Sequence, residues 1–448
     1  MTPFPISIEN PVTYPGPPPK QADVVVIGGG IIGVMSAWEL AKRGQKVVVL
    51  EKGRIAAEQS SRNWGWIRAQ GRDAAEVPIL LESVAMWREM AATLGEDIGL
   101  RQGGVSYLAA TPAKLSRYEN WLPTAKAHGL DTRILGREET AKLFSGAAVD
   151  WAGALWTSSD LRAEPWTAVP AIARAAARDG VIFVEGCAAR MIDTTAGRVS
   201  GVITEAGPIV TSAVVVAGGA WSSLLLRRHG IAIPQLSVRA TVAATGVLAN
   251  VHDGAAVDDR LAFRRRLDGG YTLAASGFHE LFVGPDAFRA FGRFAPQLMQ
   301  DPLGTRLLPV PPKGYPDAWT TARRWSADTV SPFEKMRVLN PAPNKGKVAK
   351  MAKSFADTYP QLGKITIKTA WAGMIDTMPD VVPVVDHAAQ MPGLTIATGM
   401  CGHGFGIGPG FGRIVAQLVT GETPNHDISR FRLSRFSDGS KLVLGPNL

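Results

Sequence analysis

The sequence predicts an α/β protein, α+β overall, in which a Rossmann-like parallel-sheet domain is interleaved along the chain with a mixed-sheet domain. Three observations predict it. A buried strand, a glycine loop and a helix follow one another over 23–43. A second buried strand then closes on an acid. The chain has 448 residues, and single cores stop growing near roughly 250–300, so two domains are expected. A hydrophobic fraction of 46% with 19% charge excludes a disordered or fibrous chain.

The elements follow in order. Met1–Lys20 holds seven prolines and no apolar stretch long enough for a signal or a membrane span, which predicts an extended surface arm or a disordered tail. Asp23-Val24-Val25-Val26-Ile27 is a continuous apolar run, the mark of a strand buried on both faces. Gly28-Gly29-Gly30-Ile31-Ile32-Gly33 follows, then a helix over Val34–Arg43 that Gly44 ends. Lys46–Leu50 is the second strand, closed by Glu51.

A glycine string alone is weak evidence. Between a strand and a helix, with an acid about 20 residues on, it is the pattern of a dinucleotide site. Gly28 allows the tight turn, Gly30 the approach of a diphosphate, and Gly33 the packing of helix on strand. The N-terminus of the helix that follows offers N–H groups and a positive dipole end to the diphosphate; Ile31 and Ile32 are expected beside the cofactor, and Glu51 is expected to accept from the ribose. NAD and FAD both fit this pattern.

The next stretch, Lys52-Gly53-Arg54 and Glu58-Gln59-Ser60-Ser61-Arg62-Asn63-Trp64-Gly65-Trp66, is polar and aromatic and does not open a third βα unit. It resembles the D-amino-acid oxidase superfamily of two-domain flavoproteins, of the glutathione-reductase/p-hydroxybenzoate-hydroxylase type. With Pro19-Lys20-Gln21, Asp23–Gly28 and Ser331-Pro332-Phe333-Glu334-Lys335, the chain is most similar to the bacterial L-amino acid deaminases. Those carry an N-terminal membrane anchor, and the expectation here is a chain without one. They also carry Gln where this chain has Trp66, which implies a different specificity.

The resemblance implies FAD, with Lys52, Ser60, Ser61, Arg62, Asn63, Trp64 and Gly65 along the diphosphate and ring. It adds the strand and turn at 213–221, with Ala217, Gly218 and Trp221, the adenine segment 181–184 with Ala188, and Gly373. At the far end, Gly402, His403, Gly404, Phe405, Gly406 and Ile407 are expected to face the flavin ahead of a helix over Arg413–Leu418. Its dipole would favour reduction by a few tenths to about 2 kcal/mol. His403 is read either as a flavin donor or as a satisfied structural histidine. Some relatives attach flavin through a cysteine near the position of Trp371–Asp380. That stretch has none, so FAD is expected to be non-covalent. Two cysteines in all give no disulfide framework, and a cytoplasmic location is expected.

For the substrate, the resemblance implies Arg264 as the carboxylate ligand and Trp371 and Trp66 as pocket walls; a solvated basic hairpin and ordinary core aromatics are the competing readings. The activity implied is oxidation of an amino acid C–N bond. Hydride leaves the α-carbon for the flavin, and the imine hydrolyses to oxo acid and ammonia. Alternatives are an oxidase or dehydrogenase of N-substituted amino acids (sarcosine-, glycine- or opine-like), and an FAD-carrying electron-transfer subunit. O2 or quinone is the expected electron acceptor.

The expected division is a 1–21 arm; 22–99, 161–235 and 366–430 for the FAD-binding domain; 100–160 and 236–365 for the substrate domain, with an insertion about 284–344; and a 431–448 tail. In the insertion Phe288, Phe291, Phe294 and Leu298 recur at helical spacing beside Arg289 and Arg293. Two readings stand: packing on the substrate domain, or peripheral contact with an anionic cytoplasmic membrane. The +9 excess of Lys+Arg over Asp+Glu is dispersed and carries no nucleic-acid motif. No metal site is expected, since no Cys/His spacing suits one.

Overall fold

Val24, Val25 and Val26 are at most 1% exposed, because their strand lies at the centre of a parallel sheet covered on both faces. The computed structural model describes residues 2–276, 279–302 and 304–446. Met1 of the expected arm, Gly277, Phe278 and Leu303 of the expected substrate domain, and Asn447 and Leu448 of the tail lie outside the described residues.

The sheet has six strands in the order Val384–His387, Leu394–Thr398, Ala213–Val216, Val24–Ile27, Val47–Glu51 and Ile182–Glu185. Only the first pair is antiparallel. The chain leaves the central strand for one neighbour and returns much later to the other. The crevice beyond the strands' carboxyl ends at such a switch point is where ligands bind in open α/β sheets.

The second sheet has nine strands in path, from Thr305–Leu308 at one edge to Arg133–Gly136 at the other. A tenth, Ile367–Thr377, pairs antiparallel with Leu236–Thr245. That strand was grouped with the first domain on sequence; here it belongs to the second sheet. Val105–Ala109 and Tyr271–Ala274 are two further strands of this sheet.

Two helices start earlier than the periodicity suggests. Ile31–Ala41 begins directly after the glycine loop. Gly404–Thr420 begins nine residues before Arg413, with Pro409 inside it. Its glycines thin the helix where it is wedged between neighbours. A Cβ at Gly408 would stand 2.7 Å from Ile31 Cγ1, at Gly410 2.7 Å from Ile79 O, and at Gly412 2.5 Å from Met35 Cβ. These are packing glycines.

The arm is docked. Thr2 N–H donates to Lys368 O (2.8 Å), Phe4 packs on Trp371 at 5.1 Å, and Thr13 N–H donates to Glu185 Oε2 (2.6 Å). The insertion supplies a helix, Pro285–Gln300, seated through Ala290 and Phe294 on Leu236. Its Phe288 and Phe291 remain 65% and 62% exposed. No described helix is long and apolar enough to cross a membrane.

Candidate active site

A cavity of about 1220 Å³ runs from Glu51 past the glycine loop to the start of helix Gly404–Thr420, and on between the two sheets. Its first part is backbone. Gly28, at φ +114°, comes so close to the neighbouring strand that a Cβ would stand 2.4 Å from Ala217 O. A Cβ on Gly33 would stand 1.9 Å from Gly28 O, so only glycine lets this helix meet this loop. Ile31 N–H donates to Ser60 Oγ (2.8 Å). The helix has no side-chain cap of its own, leaving its dipole end toward the cavity.

Glu51 ends its strand with Oε2 accepting from Gly29 N–H (2.8 Å) and Oε1 from Gly53 N–H (2.7 Å). Burial outweighs Lys52 and these donors and pushes its carboxyl up to about 7. Lys52 Nζ bonds Glu58 Oε1 (2.7 Å) and lies 4.4 Å from the Trp221 ring. Glu58 also accepts from Trp221 Nε1 (3.1 Å) and Leu339 N–H (3.0 Å). One carboxylate therefore ties the loop after the second strand to the insertion's end. Glu334 does similar work beside it: it caps Ser331 and takes the Arg190 guanidinium at 2.8 and 3.0 Å. Burial alone would raise this acid, but those partners hold it at about 2.

Most expected cofactor residues reach the cavity. Gly28, Gly30, Ile31, Ile32, Glu51 and Lys52 line it, as do Ser60, Arg62, Asn63 and Trp64. So do Ala217, Gly218, Trp221, Gly373, Gly402, His403, Gly404 and Phe405. Six do not line it. Gly33 is a packing glycine, Ser61 is fully buried, and a Cβ on Gly65 would stand 2.4 Å from Ala163 O. Gly406 and Ile407 turn into the core behind the helix start, a Cβ on Gly406 standing 3.2 Å from Ile67 Cα. Ala188 N–H donates to Glu205 (2.6 Å), and its neighbour Ala189 lines the cavity instead.

Two substrate-side expectations are corrected. Arg264 is 1% exposed and does not line the cavity. Its Nη1 and Nη2 hold Glu164 at 2.8 and 3.1 Å, and its Nε donates to Trp64 O. Alternation along Ala262–Arg265 turns it toward Glu164, which keeps it from any substrate carboxylate. Burial would raise Glu164, but Arg264 outweighs that and keeps it ionised. Trp371 is 2% exposed, donates to Arg62 O (2.9 Å), and packs against Phe4 and Trp166. It braces the wall from behind. Trp66 does line the cavity, and its Nε1 has no partner among the described residues.

His403 also resolves. Burial and the nearby Arg72 and Arg68 cations lower it to about 4, with Glu76 opposing. Glu76 is fully buried, which would raise it, but His403 and Arg72 outweigh burial and lower it. A carboxylate only accepts, so His403 Nδ1 donates to Glu76 (3.1 Å). The neutral ring then keeps Nε2 unprotonated. Of the two readings given to His403, this contact favours the satisfied structural histidine.

Sequence reasoning missed Arg68 and Arg72, which also line the cavity. Arg72 is 6% exposed with Nη1 unpartnered, and Arg62 Nη2 is likewise unpartnered among the described residues. Burial lowers Arg62 to about 10 and, with Arg68 beside it, Arg72 to about 9. A backbone cradle free of Cβ atoms, with Arg62, Arg68 and Arg72 on the cavity wall, fits FAD. No group of metal ligands occurs among the described residues.

A family model described as FAD dependent oxidoreductase matches residues 23–418. The solved L-amino acid deaminase of Proteus myxofaciens, in complex with anthranilate, superposes with a TM-score of 0.90 at 31% identity, covering 95% of each chain. Human mitochondrial sarcosine dehydrogenase is 26% identical over 435 residues; the match takes 94% of this chain but 42% of that protein, so this chain spans less than half its length. Glycine oxidase of Geobacillus kaustophilus is 25% identical, covering 92% of this chain and 97% of its own.

Glu51's folded value of about 7 lies above the ordinary 4.5. The folded apoprotein therefore holds a proton the unfolded chain releases, and stability falls as pH rises from 4.5 through 7. Glu51→Gln should flatten that fall by on the order of 3 kcal/mol between pH 5 and 8. Denaturant unfolding of both apoproteins at the two pH values measures it; equal slopes would refute the assignment. Arg264→Met should lower stability by about 3–5 kcal/mol by stranding buried Glu164, and adding Glu164→Leu should restore most of it. Urea melts of single and double variants check this.

Proposed function

The chain belongs to the FAD dependent oxidoreductase family, and from that premise we propose that it oxidises the C–N bond of an amino acid, releasing oxo acid and ammonia. One observation carries the reading. The cavity passes without a break from the glycine-loop cradle, across the start of helix Gly404–Thr420, to a wall of cationic and aromatic side chains. Bound FAD would supply the hydride acceptor, its diphosphate on the loop at 28–31 and its ring between Arg62, Trp66 and Gly404.

The protein's own work is positional. Glu51 holds the ribose end. The second sheet lines the other side of the cavity through Tyr107, Leu236, Val238 and Val242 and would cover the ring of a bound flavin. His403, neutral and hydrogen-bonded to Glu76, adds no charge of its own to the site. The deaminase and oxidase neighbours support this reading, as does their coverage of nearly the whole chain. An N-substituted amino acid is the second reading, favoured by the similarity to sarcosine dehydrogenase.

The cofactor is proposed to be dissociable. Cys187 is buried outside the cavity. Cys401 lines it, but its thiol bonds Gly399 O (3.0 Å), accepts from Met378 N–H, and is raised by burial. Thiolate, the form that attacks, is suppressed. The electron acceptor is proposed to be a quinone at a membrane surface. Phe288 and Phe291 line the cavity's edge and are exposed there, with Trp319 6.0 Å from Phe288. That is an apolar entry beside basic Arg289.

Anaerobic flavin bleaching should follow addition of L- or D-amino acids, and N-methylated ones should bleach it faster only under the second reading. No bleaching by any of them would leave an electron-carrying subunit. Re-oxidation should be faster with quinone in anionic vesicles than with O2. Denaturation should release all the yellow colour from the polypeptide; colour retained after acid precipitation would refute a dissociable cofactor.

A further inference from the structure

We propose that the amino-terminal arm is a working part of the cofactor site, and that Phe4 positions the Arg62 guanidinium at the flavin end of the cavity. This rests on the FAD ring lying beside Arg62, as in the proposed function, and not on which amine is oxidised. The arm is fastened at both ends. Thr2 N–H donates to Lys368 O (2.8 Å), and Thr2 O accepts from Thr369 Oγ1 (2.6 Å). Farther on, the N–H groups of Thr13 and Tyr14 donate to Glu185 Oε2 (2.6 and 3.3 Å), and Glu185 N–H donates to Tyr14 O (3.0 Å). Between these points Ile8 O and Asn10 O accept from Arg54 at 3.1 and 2.8 Å. Arg54 and Arg62 both line the cavity, so the arm holds a cation of its wall at each of two places.

Phe4 sits in an aromatic corner, 5.1 Å from the Trp371 ring and 5.9 Å from Trp166. Those two rings are 5.5 Å apart, and Trp371 Nε1 donates to Arg62 O (2.9 Å). The Arg62 guanidinium stands 4.7 Å from the Phe4 ring. Its other partners are neutral oxygens. Nε donates to Ala57 O (2.8 Å), and Nη1 to Ala372 O (2.9 Å) and Asn340 Oδ1 (2.7 Å). The field of Glu58 also reaches Arg62, but that carboxylate bonds Lys52 at 2.7 Å.

Carbonyl oxygens and a ring hold a cation in place without neutralising it. Arg62 is 3% exposed, and its Nη2 has no partner among the described residues. A buried donor left so is costly until something accepts from it. The ring of FAD carries carbonyl oxygens along one edge, the kind of acceptor this donor lacks. Phe4 touches no part of the cavity itself; it acts through Arg62. Docking of the arm and binding of FAD are then coupled. An arm that sets Arg62 for the cofactor tightens FAD, and FAD must hold the arm down by the same factor.

The test uses the full chain, as apoprotein and loaded with FAD, in wild type, Phe4→Ala and Phe4→Leu. Leucine fills the space without a ring. Two ligands separate the ends of the cavity: FAD, and ADP, which carries the adenosine and diphosphate but no flavin. Each variant should weaken FAD by about fivefold or more. Calorimetric affinity for ADP should stay within about twofold of wild type. Exchange of the arm's backbone amides, followed by mass spectrometry, should slow by about fivefold or more when wild-type apoprotein takes up FAD, and by less than about twofold in Phe4→Ala.

Unchanged FAD affinity in both variants overturns the proposal, as does arm exchange that FAD leaves alone. An equal loss of FAD and ADP also overturns it, since Phe4 would then be a general support of the fold. A loss of ADP alone would reverse the placement of the cofactor and take the proposal with it. Should Phe4→Ala fail to fold, Phe4→Leu decides alone. None of these measurements needs turnover. A wild-type protein that shows the coupling but is reduced by no amino compound would refute the proposed reaction and leave the role of the arm standing.

Discussion

The structure depends on one close approach. The backbone of Gly28 lies under Ala217, and Gly33 sits directly on Gly28 O, with 2.4 and 1.9 Å left for any added Cβ. Because nothing projects there, helix Ile31–Ala41 begins within the loop and its N–H groups converge on one side of it. The second neighbour, helix Gly404–Thr420, reaches the same point through its own packing glycines at 408, 410 and 412. Two helix starts thus face one crevice at the switch point of the sheet. Neither would be there if either loop carried side chains.

Everything beyond the cradle is placed by connections back to it. Strands Leu236–Thr245 and Ile367–Thr377 pair along their length, and Trp371 on the second of them bonds Arg62 O in the segment after the glycine loop. Phe4 of the arm backs Trp371, and the Arg62 guanidinium lies 4.7 Å from the Phe4 ring. Glu164–Arg264 locks the second sheet to Trp64 O. Buried ion pairs of this kind add little net stability but are costly to break singly. Arg264 fixes the geometry of the cavity without entering it.

The cradle was legible because its cause is local. A run of valines, glycines at fixed offsets and an acid after the second strand each follow from backbone demands that no distant residue can alter. The same holds for the aromatic spacing of Phe288, Phe291 and Phe294, which did form a helix. What failed was direction. A strand's alternation puts Arg264 on one face, but does not say whether that face meets a ligand or Glu164, a residue 100 positions away. Trp371 failed likewise: which side of a wall a tryptophan occupies is decided by Phe4 and Trp166. The helix at 404 carries glycines in its interior because Ile31, Met35 and Ile79 leave no room for a Cβ there; the sequence shows the glycines and not those distant neighbours. Arg68 and Arg72 carried no motif; only the folded wall of the cavity brings them out.

The proposed diphosphate site at the glycine cradle is tested most directly by calorimetric titration of the apoprotein with FAD. It predicts one FAD per chain for the wild type, and binding weakened by at least about a hundredfold in Gly28→Val, where the new side chain would occupy the space between the loop and Ala217. A wild-type chain that takes up no FAD, or a folded Gly28→Val variant that binds it equally well, would contradict the account.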